Sequence, residues 1–264
     1  MENLRYLKKF RYALAGILLV FPLFVFAYSD TTTHPALTSE IVKLFNKTYP
    51  SLALGDKDKV LLMRGSTEED AGARPLQHFY DPVYNRGLTI AGNKWMSAKK
   101  WAEDTLAQAS YAGNLAKIPG IRALYGTAYE VYSSDTDYSW ERAVYEYAWG
   151  DKERGLLALG HILHLLQDMA VPDHTRNDPH PEFAEAAFGG PSPYEDFASQ
   201  FTPDTISVKT GGNLPRRNSL KEYLSALAVY SNKNFFSKDT MPGVSQYESP
   251  HIEKNYETVL SDGK

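Results

Sequence analysis

Between residues 164 and 174 the chain reads His164-Leu-Leu-Gln-Asp168-Met-Ala-Val-Pro172-Asp-His174. His164 and Asp168 stand four positions apart, so on a helix both project from one face, one turn apart. Pro172 stops that helix and turns the chain, which brings His174 back toward the same face. Two imidazoles and a carboxylate converging at a helix end form a donor set suited to zinc. The H-x3-D spacing read bare is a weak signal, because His–Asp pairs at helical spacing are common; on spacing alone an ordinary or solvated ion pair is the better reading. The chain has no cysteine, so thiolate sites and disulfides are excluded. Any zinc must sit on His, Asp, Glu or backbone groups.

Three further segments carry the same residue types. They are His78-Phe-Tyr-Asp81-Pro82, preceded by Gly65-Ser-Thr-Glu-Glu-Asp70; Thr33-His34-Pro35; and Pro193-Tyr-Glu195-Asp-Phe197. Together with the first string they resemble the bacterial zinc-dependent phospholipases C and, more distantly, the fungal-type trinuclear zinc nucleases. The full H-x3-D-x3-P-x-H string with an upstream H-F-Y-D-P is specific to that superfamily. The resemblance runs in order from about Tyr28 to Phe197, and 198–264 match only as generic helix. It implies a helical domain with long metal-binding loops and up to three zinc ions in one cleft. His78, His164 and Asp70 would hold one ion, which Asp168 would bridge to a neighbour. His174 and Glu195 would hold another. The third would take His34, Asp168 and the free amine and carbonyl of Tyr28 as first residue of the mature chain.

The chain departs from that pattern at three places. Pro191 stands four residues before Glu195, where the family has a histidine ligand, so His180 is the nearest residue to replace it. Tyr28 replaces a tryptophan. Asp70 lies closer to His78 than the family's spacing, with Glu69 as the alternative ligand. His161, one turn before His164, reads as a packing or supporting residue and His251 as a solvated one. Asp81 reads as a residue that orders its loop or orients His78.

The chemistry expected of such a cluster is hydrolysis of a phosphate ester, since zinc acidifies water and neutralises phosphoryl oxygens. Asp70 is the carboxylate expected to orient or deprotonate the attacking water. H-F-Y-D-P favours a phospholipid headgroup as substrate, which would allow peripheral membrane contact. Cleavage of single-stranded nucleic acid, or an exported metal-binding protein that has lost activity, are the alternatives. The formal net charge of −4 gives no basic footprint for duplex nucleic acid.

The elements that must position these residues read as all-α, in one compact helical domain spanning 28–264. Apolar residues recur at helical spacing over His34–Tyr49, with Thr38 and Glu40 as its capping neighbourhood. Helices are also expected over Lys94–Ala116, Tyr138–Trp149, Asp151–Ala170 and Ser219–Phe236. The Gly- and Pro-rich stretches Arg64–Lys94 and 171–204 read as loops. Ahead of them Arg5, Lys8, Lys9 and Arg11 precede an apolar run ending in Val25-Phe-Ala27, the layout of a secretory signal cleaved before Tyr28. Residues 1–27 therefore read as a signal peptide of a secreted or periplasmic protein, anchored in the membrane if uncleaved.

Overall fold

The computed structural model describes residues 31–90, 92–109, 136–180, 192–202, 216–240 and 247. The expected leader, Tyr28, Pro191 and His251 lie outside the described residues, as does the 110–116 end of the helix expected from Lys94. In chain order the elements are α1 (Thr33–Thr48), α2 (Asp56–Glu68), the hairpin strands β1 (Thr89–Ile90) and β2 (Asn93–Lys94), and α3 (Ala98–Trp101). After these come α4 (Trp140–Trp149), α5 (Lys152–Asp168), α6 (Pro172–Thr175), α7 (Pro193–Ala198) and α8 (Leu220–Asn234). The chain is mostly helical; among the described residues its only sheet is the antiparallel β1–β2 pair.

Helix α5 is the axis of this arrangement. Asp151 caps it by accepting hydrogen bonds from the backbone N–H groups of Glu153 and Arg154. One side packs Ile162, Leu165 and Met169 against Trp101, Leu220, Leu224 and Ala228 from α3 and α8. Leu156 packs against Val42 of α1 and Leu62 of α2 in a second cluster. Each such side chain contributes about 1.5–3 kcal/mol when fully buried. A helix covered on several sides buries polar residues too, and His161, His164, Gln167 and Asp168 are all enclosed.

Several sequence expectations are corrected here. Helix α2 falls partly in the segment read as loop. Its apolar pattern is diluted by Asp56, Lys57, Asp58 and Lys59, and it carries Gly65, a residue that reads as a helix breaker. Gly65 is there for contact: it faces Gly160 of α5, and a Cβ on Gly65 would stand 2.1 Å from the Leu157 carbonyl oxygen. The helix expected over Lys94–Ala116 starts only at Ala98, because Asn93 and Lys94 pair with β1, and it breaks after Trp101 before helix resumes at Thr105. Helix α5 ends at Asp168, before Pro172, which opens α6 at a position where proline's missing N–H costs nothing. The 171–204 stretch contains α6 and α7 as well as loop. Helix α1 starts ahead of Thr38 and Glu40, so neither caps it; Thr38 accepts a hydrogen bond from Gln167 and Glu40 pairs with Lys43.

Candidate metal centre

Seven segments deliver the candidate ligands. His34 lies in the first turn of α1, whose start is tied to the end of α7. There the Thr33 hydroxyl donates to the Ala198 carbonyl at 2.7 Å and that of Thr32 to the Ser199 carbonyl at 2.9 Å. Asp70 follows α2, and His78 closes a 3-10 turn, Arg74–Gln77. His164 and Asp168 come from the last turns of α5, and His174 from α6. His180 follows in the next loop and Glu195 sits on α7. The Tyr80 N–H donates to the His174 carbonyl at 3.0 Å, which locks the His78 segment against α6. All eight side chains are buried, with Glu195 the most accessible at 7 %.

Their donor atoms gather in overlapping groups. His78 Nδ1, His164 Nε2 and Asp168 Oδ2 form a triangle with sides of 3.3, 3.1 and 3.3 Å. Asp70 Oδ1 stands 3.4 Å from His78 Nδ1 and 3.6 Å from His164 Nε2, and His34 Nε2 stands 3.5 Å from Asp168 Oδ1. Asp70 also falls within reach of His34 and His164 as a further candidate group. In the remaining group Glu195 is 3.3 Å from His174 Nε2 through Oε1 and 2.9 Å from His180 Nε2 through Oε2. Two atoms that each lie ~2.1 Å from a tetrahedral ion are ~3.4 Å apart, which is the spacing these atoms keep. Yet among the described residues neither Asp168 oxygen is in an aligned hydrogen bond, and nor is His174 Nε2 or Glu195 Oε1. Buried polar atoms that crowd together without aligned hydrogen bonds fit a shared cation better than one another.

The far side of each ring shows which nitrogen faces the centre. His34 Nδ1 donates to Gln167 Oε1 at 2.6 Å and His164 Nδ1 to the Ser66 carbonyl at 2.6 Å. His174 Nδ1 donates to the His78 carbonyl at 3.2 Å, and His180 Nδ1 to the Asp178 carbonyl at 2.8 Å. With Nδ1 protonated, Nε2 is the nitrogen that all four rings turn toward the cluster, where it could serve as a ligand. His78 is reversed: Nδ1 faces the cluster and Nε2 lies 3.6 Å from Glu69 Oε1.

Electrostatics agree with this reading. Burial works against a charge on His78, but Asp168, Glu69 and Asp70 together lift its pKa to about 10. For His180, burial is likewise opposed by Glu195, and its pKa rises to about 10. Burial also penalises the Asp168 carboxylate, yet His164, His174 and His78 hold its pKa well below the usual range. His34 goes the other way, pushed well down by burial and by His164. Asp168 and Glu195 are thus ionised inside the protein, and in the metal-free chain protonated His78 and His180 balance them, a role a bound cation would take over.

Other candidates fall elsewhere. Tyr28 lies outside the described residues. Glu69 sits behind His78, accepting hydrogen bonds from Trp101 Nε1 at 2.9 Å, Arg74 Nε at 2.7 Å and His161 Nδ1 at 2.5 Å. His161 stacks on Tyr138 with ring centroids 3.8 Å apart. Asp81 orders its turn, accepting from the backbone N–H of Val83, from Arg86 Nε and from the Tyr247 hydroxyl. Sequence reasoning missed Gln167, Ser66 and Asp178 as acceptors for the imidazoles. Only Gln167, adjacent to Asp168 and enclosed on the same helix, carried a signal that could have found it. The chain matches no protein-family model, no curated protein and no solved structure.

Proposed function

We propose that this chain is an exported, metal-dependent hydrolase of phosphate esters, whose cluster takes up to three zinc ions and whose preferred substrate is a phospholipid headgroup. The observation that carries the metal part is the spacing of His78 Nδ1, His164 Nε2, Asp168 Oδ2 and Asp70 Oδ1 at tetrahedral separations inside a buried pocket. Imidazole and carboxylate donors without thiolate suit zinc among the common ions. The phospholipase C/nuclease-like architecture and the phospholipid substrate rest on the motif resemblance, with residues 1–27 as the leader that exports it.

When bound, zinc supplies Lewis acidity toward a phosphoryl oxygen and lowers the pKa of water. The chain's own part is to fix geometry and move a proton. Asp168 is shared between neighbouring groups through its two oxygens, and His34, His164, His174 and His180 present Nε2 because their Nδ1–H groups are committed. Asp70, at the edge of the first group, is the carboxylate that orients the attacking water and takes its proton. His180 stands in for the family ligand that Pro191 replaces.

The test uses the chain from Tyr28 loaded with zinc, with metal content and hydrolysis of a chromogenic phosphocholine ester and single-stranded DNA measured in parallel. Close to three zinc ions with turnover of the ester is the expected result. Turnover of DNA alone would move the substrate to nucleic acid. Bound metal without turnover of either would leave a metal-binding protein, and absence of bound zinc would refute the proposal.

A further inference from the structure

The loop that carries His180 is held by the chain's C-terminal part, and the contacts are dense enough to assign it a role. Arg176, 1 % exposed, spans two C-terminal elements. Its Nε and Nη2 donate to the Asn232 carbonyl at 3.1 and 2.6 Å. Its Nη1 donates to the Thr240 carbonyl and hydroxyl at 3.2 and 3.0 Å. Asn232 returns a hydrogen bond from Nδ2 to the Thr175 carbonyl at 2.7 Å. Two residues on, Asp178 Oδ2 accepts the backbone N–H of Asp239 at 2.8 Å, while the Asp178 carbonyl accepts His180 Nδ1–H at 2.8 Å. One residue therefore ties the C-terminal turn Lys238–Thr240 to the imidazole of His180. Between them Asn177, in the left-handed region at φ 52°, bonds Thr89 through both ends of its amide.

We propose that this C-terminal clamp, acting through Arg176 and Asp178, positions His180 as a ligand, so that the His174–His180–Glu195 site depends on it while the His78–His164–Asp168 site does not. The inference rests on the metal reading above. Its physical basis is the difference in support: His164 and Asp168 stand on a buried helix, whereas among the described residues the segment leading to His180 is loop without a ladder of its own. A loop ligand is only as well placed as the contacts that hold its backbone.

Zinc binding to the purified chain starting at Tyr28 tests it, by calorimetric titration and by metal content after gel filtration, with circular dichroism reporting the fold. Asp239→Pro removes the N–H that Asp178 accepts, whereas Asp239→Ala keeps it. Arg176→Met removes the clamp's other arm, and His180→Ala marks the ion concerned. Asp239→Pro and Arg176→Met are each expected to lose the one equivalent that His180→Ala loses, and Asp239→Ala to lose none. Combining Asp239→Pro with His180→Ala should remove no further zinc. Retention of every equivalent by Asp239→Pro overturns the inference, as does loss of the equivalent that His164→Ala removes. Wild-type protein that binds no zinc overturns the metal reading, and this inference with it.

Discussion

Gln167→Leu is the most informative single change, because it alters no candidate ligand. Gln167 is 7 % exposed; its Oε1 accepts His34 Nδ1–H at 2.6 Å and its Nε2 donates to Thr38 Oγ1 at 3.0 Å. Leucine is of similar size, so the change leaves little cavity and strands one donor and one acceptor. A buried polar group left without a partner costs about 1–3 kcal/mol, so the metal-free chain should lose about 2–6 kcal/mol for the two together. The separate effect falls on His34, whose ring loses the acceptor that keeps Nε2 aimed at Asp168. Loss of such an outer partner typically weakens metal affinity by about 10–100-fold. Denaturant unfolding in the presence of a chelator reads the first effect, and competitive zinc titration reads the second. Gln167→Glu keeps an acceptor for both His34 Nδ1–H and the Thr38 hydroxyl, and should restore zinc affinity. If Gln167→Leu loses stability while its zinc affinity stays at the wild-type value, the role assigned to His34 Nε2 is wrong. Equal weakening by the leucine and glutamate variants would also refute it.

Three further outcomes are expected. His164→Ala, Asp168→Ala and His174→Ala should each lose bound metal, and chelation of the wild type should lower its melting temperature. A site filled at a thousand times its Kd contributes about 4 kcal/mol, or roughly 8–16 °C for a chain of this size, whereas His161→Ala should lose stability and keep its metal. Gly160→Ala should destabilise the fold by about 1–3 kcal/mol in denaturant unfolding, because its Cβ would stand 2.3 Å from the Leu62 carbonyl oxygen and push α2 off α5. A chain with one residue added ahead of Tyr28 should bind less zinc and turn over more slowly than one starting at Tyr28, and equal zinc content in the two would remove Tyr28 from the ligand set.

The donor atoms were legible in the sequence to a degree that their supports were not, and the reason is chemical. A ligand must be His, Asp or Glu, and there are seven histidines in the chain, so spacing around Pro172 and the H-F-Y-D-P string narrowed the choice sharply. The group that fixes each ring can be almost anything with an oxygen. It is an amide for His34, and main-chain carbonyls of Ser66, His78 and Asp178 for the others. Carbonyls leave no trace in residue identity. The helices followed the same division. Periodicity located α1, α4, α5 and α8 to within a few residues, although α1 buries Thr33, His34, Thr38 and Ser39 and α4 buries Glu146 beside Ala143. It missed α2, which turns Gly65 and Ser66 toward α5 in place of a hydrophobic stripe.

That missed helix matters more to the site than the ones found. Gly65 and Gly160 let the backbones of α2 and α5 meet without side chains between them, and three consequences follow within one turn. Ser66 can offer its carbonyl to His164 Nδ1. Glu69 reaches the rear of His78 and His161. Asp70 emerges at the helix end beside His78 and His164. Any larger residue at either glycine would separate the helices and withdraw all three groups together. The close crossing is therefore what converts an ordinary-looking His164–Asp168 pair into a centre with donors on several sides, and it explains why the bare H-x3-D spacing was so weak a signal. The decisive neighbours come from residues about a hundred positions earlier in the chain, brought in by a contact that neither motif nor periodicity encodes.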